Sequence, residues 1–164
     1  MTDYEIPQAP RISRFAKGRT YTIAGIKENM KAPQESYLLA LVEMLKKLEH
    51  NVQAYYAGRG WSEPIEKRGV TFGEKWDKVW SMRNGERTYI LCFIDADTGE
   101  IYKPAGVNKP YPKVRANMFE SESYEYADPH GGWLYADFKV DKARYMRDLS
   151  TKEYIDKGNA ELKS

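Results

Sequence analysis

An Asn-Gly pair at positions 84 and 85 stands between two runs that alternate in character every second residue. Before it, Trp76, Lys78, Trp80 and Met82 alternate with Asp77, Val79, Ser81 and Arg83; after it comes Arg87-Thr88-Tyr89-Ile90-Leu91-Cys92-Phe93-Ile94. Period two is the mark of a strand. Both central residues of a tight type I′ turn need positive φ, which Asn and Gly adopt at least expense. The two runs are therefore predicted to pair antiparallel. Asp95-Ala96-Asp97-Thr98-Gly99 supplies a second reversal, and Glu100 to Lys103 a third short strand ended by Pro104. The result is a three-stranded meander over residues 75–103. Tyr89, Leu91 and Phe93 fall on one face of its middle strand and Ile90, Cys92 and Ile94 on the other, so both faces are expected to be covered.

One cover is legible upstream. Leu38, Leu41, Val42, Leu45 and Leu48 recur at spacings of three and four, which places them on one face of a helix over 34–50. Pro33 suits its first turn and Glu35 its positive end, while Lys46, Lys47 and His50 suit its negative end. Burial of five such side chains contributes about 1.5 to 3 kcal/mol each before entropy is subtracted. The expected fold is α+β: an antiparallel meander packed by one amphipathic helix, with long irregular loops. The 164 residues suit one domain. They divide into a flexible basic arm at 1–19, a single domain at 20–150 and a polar tail at 151–164. Tyr21 to Ile26 and Trp133 to Phe138 read as further strands, and 53–74, with four glycines and Pro64, as a long connection. The tail, with Ala143, Tyr145, Met146 and Leu149, reads as helical and frayed over 157–164.

Chemistry is sparse. Asp95, Asp97 and Glu100 fall near one another, but Gly99 sits where a calcium loop wants a ligand and Gly106 where it wants a carboxylate. An Asx-stabilised turn explains them better. Two histidines and one cysteine, Cys92, in a strand-like apolar run leave no Cys/His site or zinc cluster. Gly58-Arg59-Gly60 does not join a strand to a helix, so no phosphate-binding glycine loop is present. No cofactor and no metal is expected. A small metal-dependent enzyme using Asp95, Asp97 and His130 remains as an alternative, because histidine titrates near neutrality. No stretch is apolar enough for a membrane span or a signal peptide, and a lone cysteine fits a reducing compartment.

The formal net charge of +2 makes any affinity for nucleic acid a matter of local patches. One such patch follows the third strand: Tyr102, Lys103, Lys109, Tyr111, Lys113 and Arg115, without an acid among the cations. Arg11, Arg14, Lys17 and Arg19 of the arm could join it. Cations that track phosphates and aromatic faces that stack on bases are what a single-strand binder needs. A solvated loop over packed tyrosines, or a protein interface anchored by Tyr and Arg, would use the same residues.

The run Phe93-Ile94-Asp95, Thr98-Gly99-Glu100-Ile101-Tyr102-Lys103-Pro104-Ala105-Gly106, then Lys109, Pro110 and Val114-Arg115-Ala116-Asn117, resembles a pattern in small uncharacterised proteins of tailed bacteriophages. The chain departs from it at Val107, where a tryptophan is usual, and by inserting Tyr111-Pro112 before Lys113. The resemblance covers about a quarter of the chain. It implies a phage-type accessory protein in the host cytoplasm, or in the virion, and brings no activity with it. The leading expectation is a non-enzymatic protein that binds nucleic acid or a host or phage protein. A virion or assembly component is the alternative, and the oligomeric state is open.

Overall fold

The computed structural model describes residues 15–30, 35–60, 66–135 and 149–163. A five-stranded antiparallel sheet runs in the order β1 (Glu66–Thr71), β2 (Trp76–Arg83), β3 (Glu86–Asp95), β4 (Glu100–Tyr102) and β7 (Ala116–Asn117). A separate two-stranded hairpin, β5 (Pro104–Gly106) and β6 (Lys109–Pro110), interrupts the sequence between β4 and β7. The helices are α1 (Ile23–Glu28), α2 (Ser36–Gly58) and α3 (Leu149–Lys163). The fold is α+β, and its centre is the expected meander.

The turn at Asn84-Gly85 sets the register. Both residues take positive φ, 54° and 80°, and Arg83 pairs with Glu86 across it. Two irregularities in the β2–β3 ladder, at Val79/Trp80 and Ser81/Met82, bend the strands, and Thr88 Oγ1 donates to Ser81 O there at 2.9 Å. The second turn is the expected Asx reversal: Asp97 N–H donates to Asp95 Oδ1 at 2.8 Å, and Gly99 takes φ 78°. The third strand ends before Pro104 as expected, and Pro104 opens the separate β5, where its missing N–H is harmless in a two-stranded ribbon.

The main core lies between one sheet face and α2. Leu38, Leu41, Leu45 and Leu48 meet Val70, Val79, Cys92, Ile94 and Ile101 there. Tyr37 of α2 donates its hydroxyl to Asp77 Oδ2 at 2.6 Å, and Gly73 N–H donates to Asp77 Oδ1 at 3.0 Å, so this buried carboxylate is bound from two elements. Buried Arg68 ties β1 to a distant loop, donating to Ser81 Oγ and to Pro129 O.

Several expectations need correction. The helix does not stop at residue 50; buried Asn51, Val52 and Ala54 continue its stripe to Gly58. Lys46, Lys47 and His50 are therefore mid-helix, and His50 meets the Asn159 side chain of α3 instead of a helix terminus. The supposed connection at 53–74 supplies the end of α2 and all of β1. Its strand was hidden by Gly69, where a Cβ would crowd Thr20 and Met82. Tyr21 to Ile26 is not a strand: Tyr21 makes one bridge to Val70, and Thr22 Oγ1 accepts from Gly25 N–H at 3.2 Å to cap α1.

The end of the supposed arm is anchored, with Phe15 buried and stacked on Phe72 at 4.0 Å. Gly132–Tyr135 is a 3₁₀ turn rather than the start of a strand. Residues 157–163 belong to α3, which packs along α2 with Ile155 fully buried, so the polar tail is docked. Pro33, Ala143, Tyr145 and Met146 lie outside the described residues.

Candidate functional site

The sheet face turned away from α2 carries a line of alternating type on β2: Trp76, Lys78 and Trp80, each partly exposed. Residues two apart on a strand share a face, so this grouping follows from the pleat. Cross-strand pairing then sets Phe93 of β3 beside Lys78 and Tyr102 of β4 beside Phe93. Trp76 stands edge-on to Phe93 at 6.1 Å and to Tyr102 at 5.3 Å, and Trp80 Nε1 donates to Thr71 Oγ1 at 2.9 Å. The rings form a fixed aromatic floor.

Cations lie over it. Arg87 Cζ is 4.7 Å from the Trp80 ring centre, Lys78 Nζ 5.6 Å from that of Phe93, and Lys75 Nζ 5.4 Å from that of Trp76. Lys75 also pairs with Asp95 at 3.0 Å, which raises its pKa first through that hydrogen bond and then through the carboxylate charge. Lys78 is shifted the other way: burial pushes its pKa down, and the charge of Arg87 adds to the effect. Burial, followed by the Glu100 carboxylate, raises the pKa of the Tyr102 hydroxyl.

The β5–β6 hairpin lies against β3 and joins this face, for Lys78 Nζ donates to Asn108 Oδ1 in its turn at 2.7 Å. Beyond β6, Tyr111 accepts Lys103 Nζ at 4.7 Å and Arg115 Cζ at 5.4 Å from its ring centre. Tyr111 N–H donates to Lys103 O at 2.8 Å and Arg115 N–H to Ile101 O at 2.8 Å, which fixes the segment to β4.

The sequence-predicted residues thus separate. Tyr102 belongs to the aromatic floor, Lys103, Tyr111 and Arg115 form one cation and ring cluster, and Lys109 follows the hairpin turn. Arg115 is buried, so it holds Tyr111 and does not offer a free contact. Lys113 is exposed beyond the cluster. Arg11 and Arg14 lie outside the described residues. Sequence reasoning missed Trp76, Lys78, Trp80 and Arg87. The alternation at 76–80 was the available signal, but periodicity alone does not say which face the helix covers. Lys78, Arg87, Lys109 and Lys113 have no carboxylate partner among the described residues.

The enzyme alternative loses its geometry. Asp95 is engaged by Lys75 and by its own turn, and no group of three His, Cys, Asp or Glu side chains placed to hold a metal occurs among the described residues. His130 lies against the Tyr55 ring at 6.1 Å, next to Pro129, whose carbonyl accepts from the Tyr89 hydroxyl. Tyr89 and Asp95 are separated along β3 by roughly 20 Å at about 3.3 Å per residue. Asp95 and His130 therefore share no site.

No helix of the described residues is long and apolar enough to cross a membrane. No curated protein and no solved structure matches the chain. One family model does match, over residues 20–136, a span that takes in α1, α2, the whole sheet and the aromatic face but ends before α3. The chain belongs to the Family of unknown function (DUF7717).

Proposed function

We propose that this protein is a non-enzymatic accessory protein, phage-type by the resemblance at 93–117, that binds single-stranded nucleic acid on the sheet face opposite α2. The observation that carries this reading is the Trp76-Lys78-Trp80 line, flanked by Tyr102 and backed by buried Phe93, with Lys78 and Arg87 over the rings and no carboxylate partner for either among the described residues. Aromatic rings stack on any base, at about 1 to 3 kcal/mol per base. Cations with no internal counterion take phosphates instead, and each releases condensed counterions, steepening the salt dependence by about 0.7 log units per log unit of salt on a single strand. The inferred place of action is the host cytoplasm, where the isolated buried thiol of Cys92 stays reduced.

A second reading, a host or phage protein as partner, is favoured by one observation: Val107 and Tyr111 are 68% and 41% exposed on and beside the hairpin. Fluorescence anisotropy of a labelled thirty-nucleotide oligothymidylate, titrated with the protein between low and physiological salt, separates the two. Affinity that falls steeply with salt, and falls again in Lys78→Met and Lys109→Ala, supports the nucleic-acid reading. No binding at low salt rejects it.

A further inference from the structure

We infer that the ligand strand runs along β2 in a three-nucleotide register, with bases stacked on Trp76 and Trp80 and the intervening phosphates held by Lys78 and Arg87. This rests on the nucleic-acid reading and deepens it by fixing the ligand's minimum length and its path across the sheet.

Spacing carries the inference. Trp76 and Trp80 are four residues apart on one face of one strand, so their backbone positions are separated by roughly 13 Å at about 3.3 Å per residue. A strand in its stacked form advances only about 3.4 Å per nucleotide, and its bases would satisfy one another and leave the rings uncovered. Stretched to roughly twice that ~3.4 Å rise, the strand covers the gap in two steps. The first and third bases then reach the two indoles, and the phosphates between them pass over Lys78. A duplex cannot use this surface, because both faces of its internal bases are already stacked.

The cations stand where that path needs them. Lys78 is midway between the indoles, and its ammonium is steered by Asn108 Oδ1 at 2.7 Å and by the Phe93 ring beneath it. Arg87 lies over Trp80 with no carboxylate partner among the described residues. An arriving base takes the place of its guanidinium on the ring, and the guanidinium moves to the adjacent phosphate. Asp95, which pairs across the ladder with Trp76, is occupied by Lys75. Lys109 follows Asn108 in the hairpin and adds a cation next to its turn.

Anisotropy with labelled oligothymidylates of two, three, four, eight and thirty nucleotides tests the register on the intact chain. The expected result is at least a tenfold gain in affinity from two nucleotides to three, followed by a shallow rise with length. Trp76→Ala and Trp80→Ala should each remove that step while keeping the shallow rise, and Trp80→Phe should retain most of it. An unlabelled duplex of eight base pairs should not compete. If affinity climbs smoothly from two nucleotides upward, or if the step survives both alanine variants with their melting transitions intact, the register is overturned while the nucleic-acid reading stands. If the thirty-nucleotide probe does not bind at low salt, both fall.

Discussion

Gly58 and Gly158 face each other where α2 and α3 cross, and neither has room for a methyl group. A Cβ on Gly58 would fall on the carbonyl oxygen of Tyr154, and one on Gly158 on the carbonyl oxygen of Ala54. The helices approach this closely because both residues lack side chains.

Gly158→Ala should therefore destabilise the docked helix even though alanine favours helix by about 1 kcal/mol over glycine. Overpacking of this kind costs about 1 to 3 kcal/mol. Hydrogen exchange should rise across 149–163 and leave β2 and β3 protected. Unchanged protection of α3 would mean the crossing is looser than described.

Lys78→Met should separate stability from binding. Burial and then Arg87 lower the pKa of Lys78, so the unfolded chain holds this proton more tightly than the folded one. The charged ammonium thus opposes folding at neutral pH, and the opposition is relieved as pH rises through its lowered pKa toward 10.5. Methionine keeps the stem over Phe93 without the charge. Thermal melts should place the variant within about 0.5 kcal/mol of the parent or above it, while affinity for a long oligothymidylate falls.

Cys92 should be inert in the folded protein. Burial pushes its thiol from 9.0 up to about 12, a shift that the charge of Arg68 only partly offsets. Because the neutral thiol is favoured by folding, its contribution is complete below about pH 9 and is lost as pH rises toward 12. A disulfide reagent at pH 8 should label the chain in denaturant and not in buffer. Rapid labelling in buffer would contradict the burial of β3.

Tyr37→Phe removes the hydroxyl that donates to Asp77 at 2.6 Å in the core. A hydrogen bond to a charged group contributes about 1.5 to 3 kcal/mol, and its loss inside a core stays near the upper end. Urea unfolding should show the midpoint falling with little change in slope; an unmoved midpoint would mean another donor takes over.

The helix face at Leu38 to Leu48 and the turn at Asn84-Gly85 were legible because periodicity and φ preference are local properties of a few residues. β1 was not, since Gly69 interrupts its pattern for the sake of Thr20 and Met82, residues distant in sequence. α3 reads as a polar tail because its docking depends on Gly58 and Gly158, which look like breakers until the two backbones meet. The candidate site was half legible: Tyr102 to Arg115 stood out as a charge block, yet buried Arg115 proved to be a support for Tyr111.

By itself the sequence determined the meander, its turn and the apolar stripe that covers it, because alternation and turn chemistry act over neighbouring residues. Only the tertiary structure decided that α2 covers the Val79 and Cys92 face. That choice left Trp76, Lys78 and Trp80 on the open face and brought Arg87 and Asn108 to them across the sheet. The reason is physical: which face of a two-sided strand is buried depends on where the remote helix and hairpin pack, and that information is spread over the whole chain.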